Sequence, residues 1–222
     1  MNLLFLAMAC TRAPIEDRWT HGSITQLKDS FTSTFVVETA SEDSTAWIAI
    51  DTGYNKNADP LNAFLEEKGA TIDSIEHVVI THGHGDHIGA HVNFPNAKFY
   101  VHEKDLPLLE AESISNIQTF NESSSLEVSG VTFTPFFVPG HTEGNVAFLV
   151  NDVLIMGDSA QSHKDGSISV STKFAEDAEL AVASLEGLKD AISPYQDEIA
   201  WTVFSHSGPL EGVDAILEYT AP

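Results

Sequence analysis

Four apolar runs in this chain each end in a histidine or aspartate next to glycine, and that repetition constrains the fold more than any other feature. The runs are Ile75-Glu76-His77-Val78-Val79-Ile80-Thr81, Val131-Thr132-Phe133-Thr134-Pro135-Phe136-Phe137-Val138, Val153-Leu154-Ile155-Met156 and Trp201-Thr202-Val203-Phe204. They lead into His82-Gly83-His84-Gly85-Asp86-His87, Pro139-Gly140-His141, Gly157-Asp158 and Ser205-His206-Ser207-Gly208 respectively. Short β-branched and aromatic runs of this kind read as buried strands. Strands that all finish in polar tips can present those tips along one edge of a sheet, where α/β layers place their sites. The pattern therefore predicts an α/β fold with its chemistry on one rim.

The residue types at the tips select the chemistry. Imidazole and carboxylate together suit zinc or iron, whereas calcium takes oxygen donors only. Gly83 and Gly85 are expected to let the backbone fold tightly, so that alternate side chains converge. The donors are His82, His84, Asp86, His87, His141, Asp158 and His206. That set exceeds one tetrahedral ion and fits two adjacent ones, with a carboxylate such as Asp158 able to bridge them. Closed structural zinc sites are thiolate-rich, and the absence of thiolate here argues against a non-catalytic zinc module.

The motif Thr81-His82-Gly83-His84-Gly85-Asp86-His87, followed in order by His141, Asp158 and His206, resembles the metallo-β-lactamase superfamily of metallohydrolases. The likeness runs from about Gly22 to the end of the chain. It implies a four-layer αββα sandwich with two sheets face to face between helices. It also implies a first metal on His82, His84 and His141, and a second on Asp86, His87 and His206, with Asp158 between them. Asp51 matches the family's early strand-end aspartate, which with Thr81 would stand behind the ligands and orient them. Two Zn2+ ions are implied, with Fe2+ the alternative. The implied reaction is hydrolysis of a small ester, thioester or lactone through a metal-bound hydroxide, with Asp86 also positioning the nucleophile. The competing readings are a mononuclear-iron dioxygenase acting on a sulfur substrate and a β-lactam-hydrolysing relative. True β-lactamases of the superfamily generally lack an aspartate at the place of Asp158, which disfavours the antibiotic. Glyoxalase II relatives carry a C-terminal helical extension that grips glutathione, whereas sixteen residues follow His206 here. The only arginines, Arg12 and Arg18, lie near the N-terminus, so no arginine clamp for a glutathione carboxylate is expected at the site.

The remaining expectations concern organisation. A chain of 222 residues suits one domain, here placed at 22–222 behind a signal-like segment and tether over 1–21. Met1 to Cys10 is short and apolar, with Ala7 and Ala9 before the single cysteine, and resembles the end of a bacterial lipoprotein signal. On that reading Cys10 carries a lipid anchor and the protein sits in the bacterial cell envelope, on the periplasmic side; a cytoplasmic location is the alternative. The formal charge of −23 opposes binding to nucleic acid and to anionic membranes, and leaves a small-molecule substrate as the expected partner. Oligomeric state is open at this point. Helices are predicted over Glu176 to Lys189 and over Pro60 to Lys68, the latter closed by Gly69. Glu110 to Ser125 reads as an irregular loop near the site entrance. Phe136, Phe137, Phe174 and Trp201 could wall the substrate, but core packing is the expected job of each. His21, His77, His91, His102 and His163 fall outside the ligand pattern, His163 being the nearest to an exception because it follows Asp158 closely.

Overall fold

The computed structural model describes residues 12–40, 45–121 and 125–221. Met1 to Cys10, and with them the expected lipidation site, lie outside the described residues. No helix among the described residues is long and apolar enough to cross a membrane.

The first sheet runs in chain order through β1 (Arg18–His21), β2 (Ile24–Asp29), β3 (Thr32–Ala40), β4 (Thr45–Ile50), β5 (Ile75–Val79), β6 (Lys98–His102) and β7 (Ile117–Phe120). It is antiparallel as far as β4 and parallel from there to β7. Parallel neighbours need crossovers. The helix α1 (Asp59–Glu67) lies between β4 and β5, α2 (Gly85–Ile88) between β5 and β6, and α3 (Leu106–Ala111) between β6 and β7. The second sheet contains β8 (Leu126–Val128), β9 (Val131–Phe137), β10 (Val146–Val150) and β11 (Val153–Ile155). A ribbon of β12 (Gln161–Ser162) and β13 (Ile168–Ser169) and the helix α4 (Ala178–Ile192) precede β14 (Trp201–Phe204). Then β15 (Ser207–Glu211) and α5 (Asp214–Leu217) close the chain, and the spatial order is β15-β14-β11-β10-β9-β8.

The layering follows from which faces the strands bury. On β3, Phe35 and Val37 point between the sheets, where they meet Phe133, Val146, Phe148 and Val203, while Val36 points outward under α1 with Leu61 and Leu65. On β10, Val146, Phe148 and Val150 point inward, while Ala147 and Leu149 point outward toward Leu185, Leu188 and Ile192 of α4. Strands covered on both faces need unbroken apolar runs instead of alternation, which is how these strands read in the sequence. The result is a helix–sheet–sheet–helix sandwich with three hydrophobic layers.

The two predicted helices are present with shifted ends. In α4 the Asp177 carboxylate accepts the Leu180 N–H at 2.9 Å, so it caps the helix that was expected to start two residues earlier. Its buried residues Ala181, Leu185, Leu188 and Ile192 form one stripe at helical spacing. α1 starts with Pro60 in its first turn and is followed by Gly69 at φ +73°.

Two expectations are corrected. Arg18–His21 pairs along β2 as part of the sheet, and Ala13 N–H donates to Ser162 O at 3.0 Å, so residues 12–21 belong to the domain and do not form a tether. The stretch expected as a loop over 110–125 holds the end of α3 and the strand β7, which gains its partner only when β6 lies beside it.

Candidate metal centre

Each polar tip leaves its strand at the same edge. His82 and His84 follow β5, Asp86 and His87 start α2, His141 follows β9, Asp158 follows β11 and His206 follows β14. The tips meet. His84 Nδ1 lies 3.0 Å from His141 Nε2. Asp158 reaches His87 Nε2 through Oδ1 at 3.3 Å, and His141 Nε2 and His206 Nε2 through Oδ2 at 3.2 and 3.0 Å. Asp86 Oδ2 lies 3.3 Å from His206 Nε2. Donor atoms fall within 4.8 Å of one another in three sets: His82, His84 and His141; His82, His87 and Asp158; and Asp86, His87 and His206. The structure thus gathers all seven donors, with Asp158 touching both the His141 and the His87 sides.

Behind them, buried Asp51 orders the protons. It accepts the Thr81 N–H at 2.8 Å on Oδ1, and on Oδ2 the Thr81 hydroxyl at 2.8 Å and His87 Nδ1–H at 2.7 Å. Because the Thr81 hydroxyl proton is committed to Asp51, its oxygen is free to accept from His82 Nδ1, 3.2 Å away. In the neutral form that can hold a cation, both imidazoles then carry their proton on Nδ1 and turn an Nε2 lone pair into the centre. His206 is set the same way by Nδ1–H donation to Phe31 O at 2.8 Å.

A second buried carboxylate has no counterpart in the sequence reading. Asp105 accepts the Gly83 N–H at 2.8 Å, the Thr142 hydroxyl at 2.7 Å and the Gly144 N–H at 2.7 Å. It therefore ties the His82–His84 turn to the loop that carries His141. Its local context, Glu103-Lys104-Asp105 before a helix, reads as a solvated start, so no local signal marks it. The role expected for Gly83 also changes. Its φ is not positive, but an added Cβ would lie 2.5 Å from Leu108 Cβ, so close packing requires glycine there.

Electrostatically the centre divides in two. Burial pushes His82 well below the ordinary imidazole range, with His87 adding to the effect. Burial also lowers His84, reinforced by His141. For His87, burial opposes protonation, but Asp158 and Asp51 outweigh it and hold the ring well above its usual range. His206 is likewise opposed by burial, yet the approach of Asp158 and Asp86 pushes it up to about 9. Asp158 is held well below the carboxylate range, because His87, His141 and His206 overcome the burial that favours its neutral form. Asp86 is lowered too, burial being outweighed by His206 and His87.

The donor set suits a divalent cation. His82 Nε2, His87 Nε2 and Asp158 Oδ1 face the centre, are buried and make no hydrogen bond among the described residues. Buried polar atoms are ordinarily paired, and inward lone pairs on imidazole and carboxylate are satisfied by a borderline Lewis acid without thiolate ligands.

Above the donors opens a cavity of about 620 Å³. Its other lining residues are Arg12, Phe31, Tyr54, Gly85, Ser171 and Phe174. Arg12 corrects the expectation that neither arginine reaches the site. Phe174, expected in the core, is 67% exposed at the rim, whereas Phe136 packs under α4, Phe137 stacks on His102, and Trp201 packs on Trp19. His163 stays outside the donor group and hydrogen-bonds Ser169 Oγ at 2.8 Å. No described residue of 110–125 lines the cavity.

Comparison with known proteins agrees with this geometry. The family model described as the metallo-beta-lactamase superfamily matches residues 27–195. A probable metallo-hydrolase of Methanocaldococcus jannaschii is 25% identical over 142 residues, covering 64% of this chain and 65% of that protein. A hydroxyacylglutathione hydrolase of Photobacterium profundum is 33% identical over 113 residues, 50% of this chain and 41% of that protein. The chain thus spans less than two thirds of the length of either relative. Among solved structures, a B3 metallo-beta-lactamase with an active-site glutamic acid superposes with a TM-score of 0.67 at 13% identity, over 89% of this chain and 83% of that one, and so shares the fold. With the family's profile along most of its length and the same sandwich beneath the donors, the chain belongs to the metallo-beta-lactamase superfamily.

Proposed function

We propose that the protein is a dinuclear zinc hydrolase that cleaves a small ester, thioester or lactone. The observation that carries this reading is the position of Asp158, whose two oxygens face His87 on one side and His141 and His206 on the other. His82, His84 and His141 would hold one ion and Asp86, His87 and His206 the other, with Asp158 shared. The relatives named as a metallo-hydrolase and a hydroxyacylglutathione hydrolase support hydrolysis as the reaction class.

When bound, the ions supply Lewis acidity and lower the pKa of water toward neutrality. The protein's own groups do the rest. Asp51 and Thr81 hold the His82 and His87 protons on Nδ1, away from the reacting side. Asp86, on the cavity wall, orients the attacking water. The sandwich closes the site from below, so substrate enters only from the cavity side. Serine nucleophiles are not needed: Ser159 accepts from Asn145, and Ser205 adjoins a donor with no activating base beside it.

The test combines metal analysis with turnover. Purified protein is expected to hold two zinc ions per chain and to hydrolyse members of a panel of chromogenic esters, thioesters and lactones, with loss of activity on chelation. β-Lactams and phosphodiesters complete the panel. One iron per chain with oxygen uptake, or hydrolysis that survives removal of all metal, overturns the reading.

A further inference from the structure

We propose that the natural substrate is an anionic acyl compound, whose carboxylate is taken by Arg12 and whose apolar body lies against Phe31, Tyr54 and Phe174. This rests on the hydrolase reading for the bond that is cleaved, but not for how the molecule is held.

The cation is built into the domain. Arg12 forms an antiparallel bridge with His163, Ala13 donates to Ser162 O at 3.0 Å and Ala13 O accepts the Gly208 N–H at 3.2 Å. Gly208 is needed for that fit, since an added Cβ would stand 2.7 Å from Pro14 O. Residues 12–14 are therefore seated between the strand after the Asp158 loop and the strand after His206, and this seat delivers Arg12 to the cavity wall. The lining carboxylates, Asp86 and Asp158, both belong to the metal donors. Among the described residues, Arg12 is thus the one charged lining residue outside the donor set. Among the described residues no carboxylate pairs with it, and on a chain of net charge −23 an unpaired arginine over two cation positions favours an anion. Lys173 adds a positive charge beside the rim, its Nζ lying 4.8 Å from the Phe174 ring centroid.

The apolar part is equally localised. Of the five large hydrophobic side chains exposed among the described residues, three line this cavity: Phe31 and Tyr54 at 50% and Phe174 at 67%. Phe31 is fixed from two sides, with its ring 4.9 Å from Tyr54 and stacked at 5.8 Å on His206. Exposed aromatics that converge on one cavity bind apolar surface, and about 620 Å³ holds a molecule of small-ligand size.

The test measures binding of 4-phenylbutyrate and of its neutral amide, 4-phenylbutyramide, to the metal-loaded protein. A carboxylate can also reach the metals, but that contribution is common to wild type and variant, so their ratio isolates Arg12. R12Q is expected to weaken butyrate binding roughly tenfold or more, as loss of a charge-assisted contact does, and to weaken amide binding by a clearly smaller factor. R12K should recover part of the difference, and F174A should weaken both probes alike. Arg12 is exposed, so R12Q is expected to unfold at the wild-type denaturant midpoint. If R12Q weakens the two probes equally, or neither, the anion subsite is wrong. Discrimination that persists in a protein with no metal-dependent hydrolysis sinks the hydrolase reading alone; hydrolysis without discrimination sinks the subsite alone.

Discussion

Asp51→Asn isolates the proton-ordering group with little disturbance of the backbone. Asp51 is fully buried at φ +60°, a conformation that asparagine shares more readily than other residues, so the exchange does not strain the turn. The carboxylate accepts three hydrogen bonds, from Thr81 N–H, Thr81 Oγ1 and His87 Nδ1. An amide can keep at most two. If its oxygen faces Thr81 Oγ1 and His87, its NH2 opposes the Thr81 N–H, so that donor loses its acceptor and the new NH2 finds none there. If the amide is turned round, His87 must accept at Nδ1 and carry its proton on Nε2, the atom that faces Asp158. Each buried donor left unsatisfied costs about 1–3 kcal/mol, and the surviving bonds lose their charge assistance, so a destabilisation on the order of 4 kcal/mol is expected. Loss of the carboxylate behind a ligating histidine should lower metal affinity by roughly 10–100-fold. Guanidinium unfolding with and without metal gives the first quantity, and competition with a chromophoric chelator gives the second. A variant within about 0.5 kcal/mol of wild type and within about twofold in metal affinity would refute the proton assignment.

Asp105→Asn should destabilise the protein by about 1–3 kcal/mol through the loss of at least one buried N–H bond, and should weaken metal on the His82, His84 and His141 side more than on the other; equal weakening of both ions counts against the tie between the two loops. Chelation of the wild-type protein should lower its thermal midpoint, because metal binds the folded chain and leaves three buried, inward-facing atoms unpaired when removed. An unchanged midpoint speaks against a metal at these residues. The metal-free protein should lose stability as pH rises from about 6.5 through 9. A histidine raised on folding stabilises below its unfolded pKa and ceases to do so above its folded one, and the rise of His206 to about 9 is worth on the order of 3 kcal/mol. His87, also raised on folding, acts in the same direction, while His82 and His84, neutral in the folded protein, add only the tail of their unfolded titration, which is smaller and opposite in sign. Denaturant unfolding at both ends of the interval decides the sign, and a gain in stability contradicts it.

How much of this was legible beforehand depends on the range over which the information acts. The strand runs are local, since burial of both faces demands unbroken apolar residues, and the donors sit directly at their ends. Asp105 acts across 22, 37 and 39 residues through backbone N–H groups and a hydroxyl, and no nearby pattern signals such partners. Arg12 was misplaced for the same reason: its position depends on pairing with residues around 162 and 208. β7 reads as a loop because only the ends of Ile117-Gln118-Thr119-Phe120 are partly buried and it borders a single neighbour. Phe174 was expected inside because aromatic residues usually are, and exposure at a cavity mouth has no periodic signature.

The seating of residues 12–14 also decides how the protein can be handled. Residue 12 stands on the wall of the opening over the donors, whereas the last described residues pack with α4 in the outer helical layer. A tag joined directly to residue 12 would start beside that opening, and one rich in histidine would bring competing chelators next to it. The carboxyl end is the safer handle.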